Sequence, residues 1–159
     1  MNKEEYIWFK NGKESTRSTD PEGKQPFYID LGNGKRIDYE YENQKIYKTT
    51  YTLNGKKHRD GDKPAIETAS GNKVWYKNGK QHRDGDKPAI EYAYGHKLWY
   101  QYGKRHRDGD KPAVEYADGH KEWYKNGKTH RDGDKPAVEY ANGHKEWFKN
   151  GKAYIPRKN

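Results

Sequence analysis

The sequence predicts an all-β fold, an elongated single-layer ribbon of stacked β-hairpins with a 24-residue period. Three observations point there. Four consecutive blocks begin at Asn54, Asn78, Tyr102 and Asn126, and the last two agree at 20 of 24 positions; self-similarity at such a period marks a repeat array. Two turn signals recur in each block, Asn-Gly before Lys and a polar residue or Tyr before Gly. Between the turns run strand-length segments such as PAVEYA and HKEWYK, rich in β-branched and aromatic residues, and no segment carries helical periodicity over a useful length.

Taken in order, the chain opens with Trp8 to Lys13, WFKNGK, identical to Trp147 to Lys152. Residues 14–53 are degenerate, but Pro26 to Lys35 still echoes the PAVEYANGHK of the last block. The organisation that follows is residues 1–53 as degenerate N-terminal repeats and cap, 54–149 as four regular repeats, and 150–159 as a partial repeat and tail. Within a block, both Asn126-Gly127 and Asp118-Gly119 suit two-residue hairpin turns, in which both central residues take positive φ. Pairing across Asp118-Gly119 sets Val114 opposite Trp123 and Glu115 opposite Glu122. Alternation of side chains then gathers Val114, Tyr116 and Trp123 on one side. Pairing across Asn126-Gly127 sets Trp123 opposite His130.

Repetition makes a stripe of Trp75, Trp99, Trp123 and Trp147 with Ile66, Ile90, Val114 and Val138. This stripe is the expected core, with His82, His106 and His130 packing against the tryptophans. The Glu115–Glu122 pairing would be poor in a buried site, so the opposite face is expected to be wet, with Tyr76 and Tyr124 on it. Two strands per repeat at about 4.8 Å give a rise of about 10 Å. One hairpin cannot bury its apolar face alone; stacked neighbours can.

Composition narrows the function. Of 159 residues only 16 are Leu, Ile, Val or Phe, a profile typical of disordered chains. Fifteen Tyr and five Trp argue against a solvated coil. No apolar run is long enough to span a membrane. The start carries no signal-peptide-like stretch, and Asn2 excludes myristoylation. The absence of Cys excludes disulfides and thiol chemistry and fits an intracellular, cytoplasmic protein. The net charge of +9 is concentrated in the array and its tail, since residues 1–53 balance nine basic against nine acidic side chains.

The loop His-Arg-Asp-Gly-Asp-Lys occurs four times, from His58, His82, His106 and His130. An active site is assembled once, so fourfold repetition favours structure: Arg and Asp pinning each loop to its neighbour. Asp-Gly-Asp supplies too few acidic positions for calcium, and histidines about 10 Å apart cannot share one zinc ion. Three serines, none in a nucleophile-elbow context, leave little material for catalysis. No enzyme activity, metal or cofactor is expected.

The spacing of Tyr116, Gly119, Trp123, Gly127, His130 and Gly133 resembles the MORN repeat. One extra residue separates Trp from Gly, and Arg131 stands where such units usually carry Gly. The form with His-Arg-Asp-Gly-Asp-Lys-Pro-Ala is similar to variant MORN-like arrays of bacteria, phages and large viruses, some described as antitoxins. The resemblance covers residues 54–152 well and 1–53 weakly. It implies an elongated β-sheet used for binding, as protein scaffold or on acidic lipids, without catalysis.

The function expected from these readings is a non-enzymatic binding or inhibitor-type protein that engages another protein through its ribbon face. Tyr76, Tyr100, Tyr124, Arg83, Arg107, Arg131, Lys97 and Lys121 are the candidate binding residues, Tyr and Arg being common interface anchors. The alternative is an anionic ligand (nucleic acid, nucleotide or acidic lipid) held on a basic, aromatic face. The open edge of the ribbon also allows a homodimer.

Overall fold

A computed structural model describes residues 8–10, 13–15, 28–43 and 45–156. The Asn11-Gly12 turn, the Pro26-Phe27 part of the degenerate repeat and the 157–159 tail lie outside the described residues. Every regular element among the described residues is a β-strand. The fold is therefore all-β, and the ribbon of hairpins predicted from the repeat is what forms.

The longest strands come first. Tyr28–Gly32, Lys35–Glu42 and Lys45–Leu53 form an antiparallel meander, with Ile37 opposite both Ile29 and Tyr51. The third of these pairs with Ile66–Thr68 of the first regular repeat. From there each repeat adds two short strands to one antiparallel sheet: Ile66–Thr68 and Lys73–Val74, Ile90–Glu91 and Lys97–Leu98, Val114–Glu115 and Lys121–Glu122. Val138–Glu139, Lys145–Lys149 and Lys152–Tyr154 complete the sheet.

Beyond the Trp of each of the first three repeats the chain leaves this sheet for a small side hairpin, such as Tyr124–Lys125 with Lys128–Thr129, which turns at Asn126-Gly127. Both turn residues have positive φ, 53° and 84°, as a type I′ turn requires. The predicted pairing of Trp123 with His130 holds, and the His130 amide donates to the Trp123 carbonyl at 3.0 Å. Tyr102 takes the place of Asn at the start of the third repeat and still adopts φ 48°, uncommon for a bulky residue. Its ring stacks on His82 at 4.2 Å.

The other turn departs from the prediction. The Gly119 amide donates to Tyr116, the Tyr116 amide donates to His120, and of the turn residues only Gly119 has positive φ. This is a three-residue loop, a β-turn followed by a left-handed Gly, and not a two-residue turn. One extra residue slips the register by one and turns every side chain of the second strand over. Val114 faces Glu122, and Glu115 faces Lys121. The expected Glu115–Glu122 pair does not form. Instead Glu91, Lys97, Glu115, Lys121 and Glu139 alternate in sign across neighbouring strands.

The corrected register places Trp123 and Val114 on opposite sides of the sheet. Arg131 lies over Trp123 and also bonds Glu139, so Trp shares the Glu/Lys side. Ile90, Leu98, Val114, Glu122 and Val138 form the aliphatic row on the other side. The core has the expected members, with Trp75, Trp99, Trp123, Ile66, Ile90, Val114 and Val138 buried alongside the four Pro-Ala alanines. It is divided between two faces, however. Trp147, expected in the core, is half-buried.

Candidate functional site

The Asp-Gly-Asp-Lys loop turns back on itself and hands its second Asp to the next repeat. Asp86 accepts from Arg107 Nε at 2.6 Å and from Lys111 Nζ at 2.6 Å. Arg107 also donates to the Pro112 carbonyl and to Glu115 at 2.8 Å, and its guanidinium carbon lies 3.8 Å above the Trp99 ring. Arg83 and Arg131 repeat this set on Asp62 and Asp110. A cation over an indole, joined to a carboxylate on either side, is strong glue when the guanidinium is shielded. Each of the three arginine side chains is 13–14% exposed. Three of the candidate binding residues thus form the seam between repeats, where four N–H bonds each hold them.

These contacts hold the second Asp of each loop well below the ordinary carboxylate range. Hydrogen bonds from Arg83 and then Lys87 bring Asp62 from 3.8 to about 2, and Arg131 and Lys135 do the same to Asp110; Asp86 is lowered likewise by Arg107 and Lys111. A depressed carboxylate stabilises the fold fully above its unfolded pKa and loses that contribution as pH falls through the folded value. The stability that these three carboxylates contribute is therefore expected to be constant from neutrality to about pH 4 and to be lost between about pH 4 and 2. A melting midpoint already declining at pH 5 to 6 would show that other groups govern acid unfolding.

The repeated histidines also take a hydrogen-bonding role that the packing expectation did not include. Each Nδ1 accepts a backbone N–H twenty residues ahead: His58 from Asn78 at 3.0 Å, His82 from Tyr102 at 3.3 Å, His106 from Asn126 at 3.0 Å and His130 from Asn150 at 3.1 Å. Because a backbone N–H can only donate, Nε2 carries the proton, which the first Asp of the same loop accepts. His82 and His130 are buried, and His106 is half-buried. The loop backbone itself takes two states. Asp62 and Asp134 have φ near 51° and their carbonyls accept the Trp75 and Trp147 indole N–H. Asp86 and Asp110 are not in that conformation, and the Trp99 and Trp123 indole N–H are buried without a partner.

Tyr124, expected on a wet face opposite Val114, lies on the aliphatic side. Its hydroxyl donates to Glu122 at 2.8 Å and accepts from Arg105 at 3.1 Å. Burial and the Glu122 bond raise its pKa. Tyr100 accepts from Arg105 Nε, and Lys57 stands over Tyr76. All three tyrosines are half-buried. Lys97 and Lys121 are exposed, each between two Glu in the cross-strand row.

What the sequence reading missed is a ridge of stacked rings along the tips of the three-residue turns. Tyr116 stacks on His120 at 4.5 Å, His120 on Tyr140 at 4.6 Å, and His96 meets Tyr116 edge-on at 4.8 Å. Tyr92, Tyr94 and His144 extend it to both sides. The signal was Tyr-Ala-x-Gly-His; only a three-residue turn sets its Tyr and His opposite one another. Beneath the ridge Glu122 accepts from Tyr116 as well as Tyr124, and the His120 Nε2 lies 3.6 Å from it. Burial, with the Glu122 charge beside it, pushes Tyr116 up to about 12.

Open grooves of 310–440 Å³ lie between successive loops and are lined by the same His, Arg, Asp and Lys side chains. Among the described residues no group of three metal-ligating side chains converges, and no helix is long and apolar enough to cross a membrane. Comparison with family models found no match. Comparisons with curated proteins and with solved structures found none either.

Proposed function

We propose that this protein is a non-enzymatic binding protein, of scaffold or inhibitor type, that engages another protein through its ribbon, in the manner implied by the MORN-type arrays its repeat resembles. The observation that carries the reading is the Tyr/His ridge. Tyrosine offers a large contact area at low conformational cost and is enriched at interfaces. Here the rings are held by one another and by the repeat frame, so little ordering remains to be done on binding. Tyr94 and Tyr140 are 60% and 36% exposed and give the ridge an accessible crest. The half-buried Tyr124 supports the ridge from below through Glu122, which also holds Tyr116.

The test is affinity capture with the full chain and with a Tyr92→Ala, Tyr94→Ala, Tyr140→Ala variant, at low and high salt. A stoichiometric protein partner retained at high salt by the parent chain is expected to be lost, at least tenfold in affinity, with the variant. A partner held equally by both would sink the ridge as the interface.

A further inference from the structure

The chain's excess positive charge has a definite place, and it is neither the seam nor the Glu/Lys face. Arg83, Arg107 and Arg131 are bonded to Asp and Glu, and Lys97 and Lys121 alternate with Glu. The side hairpins follow the opposite rule. Across their turns Lys77 pairs with Lys80 and Lys125 with Lys128, Gln101 stands opposite Lys104 in the hairpin between them, and Lys149 pairs with Lys152 in the last hairpin of the main sheet. Like charges directly opposite one another destabilise a strand pair. Asp84 and Asp132 draw off Lys77 and Lys125 at 3.2 and 3.0 Å. Lys56, Lys80, Lys104, Lys128 and Lys152 are exposed, and among the described residues none has an acidic partner within salt-bridge distance.

These five lysines occupy one register position, and the turns that carry them stack. The Gly103 amide donates to Gln81 at 2.8 Å and the Gly127 amide to Arg105 at 2.8 Å. Ideal Cβ positions on Gly79, Gly103 and Gly127 lie 3.6–3.7 Å from the Cβ atoms of Lys56, Lys80 and Lys104. The result is a file of lysines about 10 Å apart, two strands per repeat, with their Cβ positions fixed by the same frame that neutralises charge elsewhere.

We propose that this lysine file is a docking edge for the phosphate backbone of duplex nucleic acid. One cation per 10 Å matches about three base pairs of duplex, and five span about twelve. A file of point charges, with no side chain placed to read a base edge, recognises backbone and not sequence. Exposed Asp84, Asp108 and Asp132 stand beside it, with side chains 76–83% exposed. They leave room for a rod of negative charge but would repel a flat anionic surface such as a membrane. This inference goes beyond the protein-binding reading and rests on different residues.

The test is anisotropy of a labelled mixed-sequence duplex of about sixteen base pairs, titrated with the full chain across a salt series. For four to five phosphate contacts, log K against log[salt] is expected to fall with a slope of about −4. A Lys80→Gln, Lys104→Gln, Lys128→Gln, Lys152→Gln variant is expected to lower affinity about a hundredfold at low salt and to flatten the slope to about −1. A Lys97→Gln, Lys121→Gln variant should change neither. The four-lysine variant should also melt at a higher temperature at low salt, because like-charge pairs are relieved; a lower midpoint would make these lysines structural. An unchanged slope in the four-lysine variant, an equal loss in the Lys97/Lys121 control, or no salt-sensitive binding by the parent chain overturns the proposal. Equal or stronger retention on vesicles containing phosphatidylserine would overturn it in favour of a lipid surface.

Discussion

Replacing Trp123 with alanine is expected to cost about 3–5 kcal/mol, the range for truncating a buried large aromatic. Trp123 is 6% exposed, and its ring is the seat of Arg131, which stands 3.9 Å above it. Removing the ring takes the cation–π contact and leaves the guanidinium over a void. In a repeat array each unit contacts mainly its neighbours, so the loss should spread to the third and fourth repeats and broaden the unfolding transition. Urea unfolding followed by far-UV circular dichroism checks this. A cost under about 1 kcal/mol would mean that the seam is not held through Trp.

The two loop states provide an internal control. Trp75 donates its indole N–H to the Asp62 carbonyl at 3.2 Å, whereas the Trp123 N–H is buried without a partner. Exchange to phenylalanine loses similar ring volume at both sites, but only Trp75→Phe breaks a hydrogen bond, worth about 1 kcal/mol. Trp75→Phe should therefore be the more destabilising by about that amount. Equal costs would mean that the carbonyl position does not matter.

Deleting His120 is expected to have an effect at least as large, although this histidine is only half-buried. The deletion keeps the three-residue turn but closes it on Tyr116 and Lys121. The second strand then slips by one residue. Lys121 would move to the aliphatic face, Glu122 would swing to face Glu115, and Trp123 would leave Arg131. A buried charge without its partners and a lost aromatic each cost several kcal/mol. The third repeat should lose its near-ultraviolet tryptophan signal and become protease-sensitive. Full retention of the parent spectrum would show that the strand can bulge to absorb the missing residue.

That deletion marks where sequence reading stopped being sufficient. Asn126-Gly127 and Asp118-Gly119 look alike as dipeptides, and both fit a type I′ turn. The first forms one. The second does not, because the pair that closes it is Tyr116 with His120, and this register lets Glu115 meet Lys121 and lets the rings of adjacent repeats stack. Local turn chemistry allowed two registers; contacts between repeats selected one. The same error hid the Tyr92–His144 ridge and misplaced Tyr124. The arginines were legible as loop pins from their fourfold repetition. Their exclusion from the free surface was not, since Arg107 meets Asp86 only once loops 21 residues apart lie side by side.

By itself the sequence determined the period, the all-β class, the positions of the turns and most of the buried residues. These follow from local chemistry that recurs every 24 residues: Gly where φ must be positive, Asn before it, and apolar or aromatic side chains at strand positions. Tertiary structure decided which face each side chain joins and which charges remain unpaired. Those outcomes depend on register, and in a sheet register is a balance between neighbouring strands that no single strand carries within it.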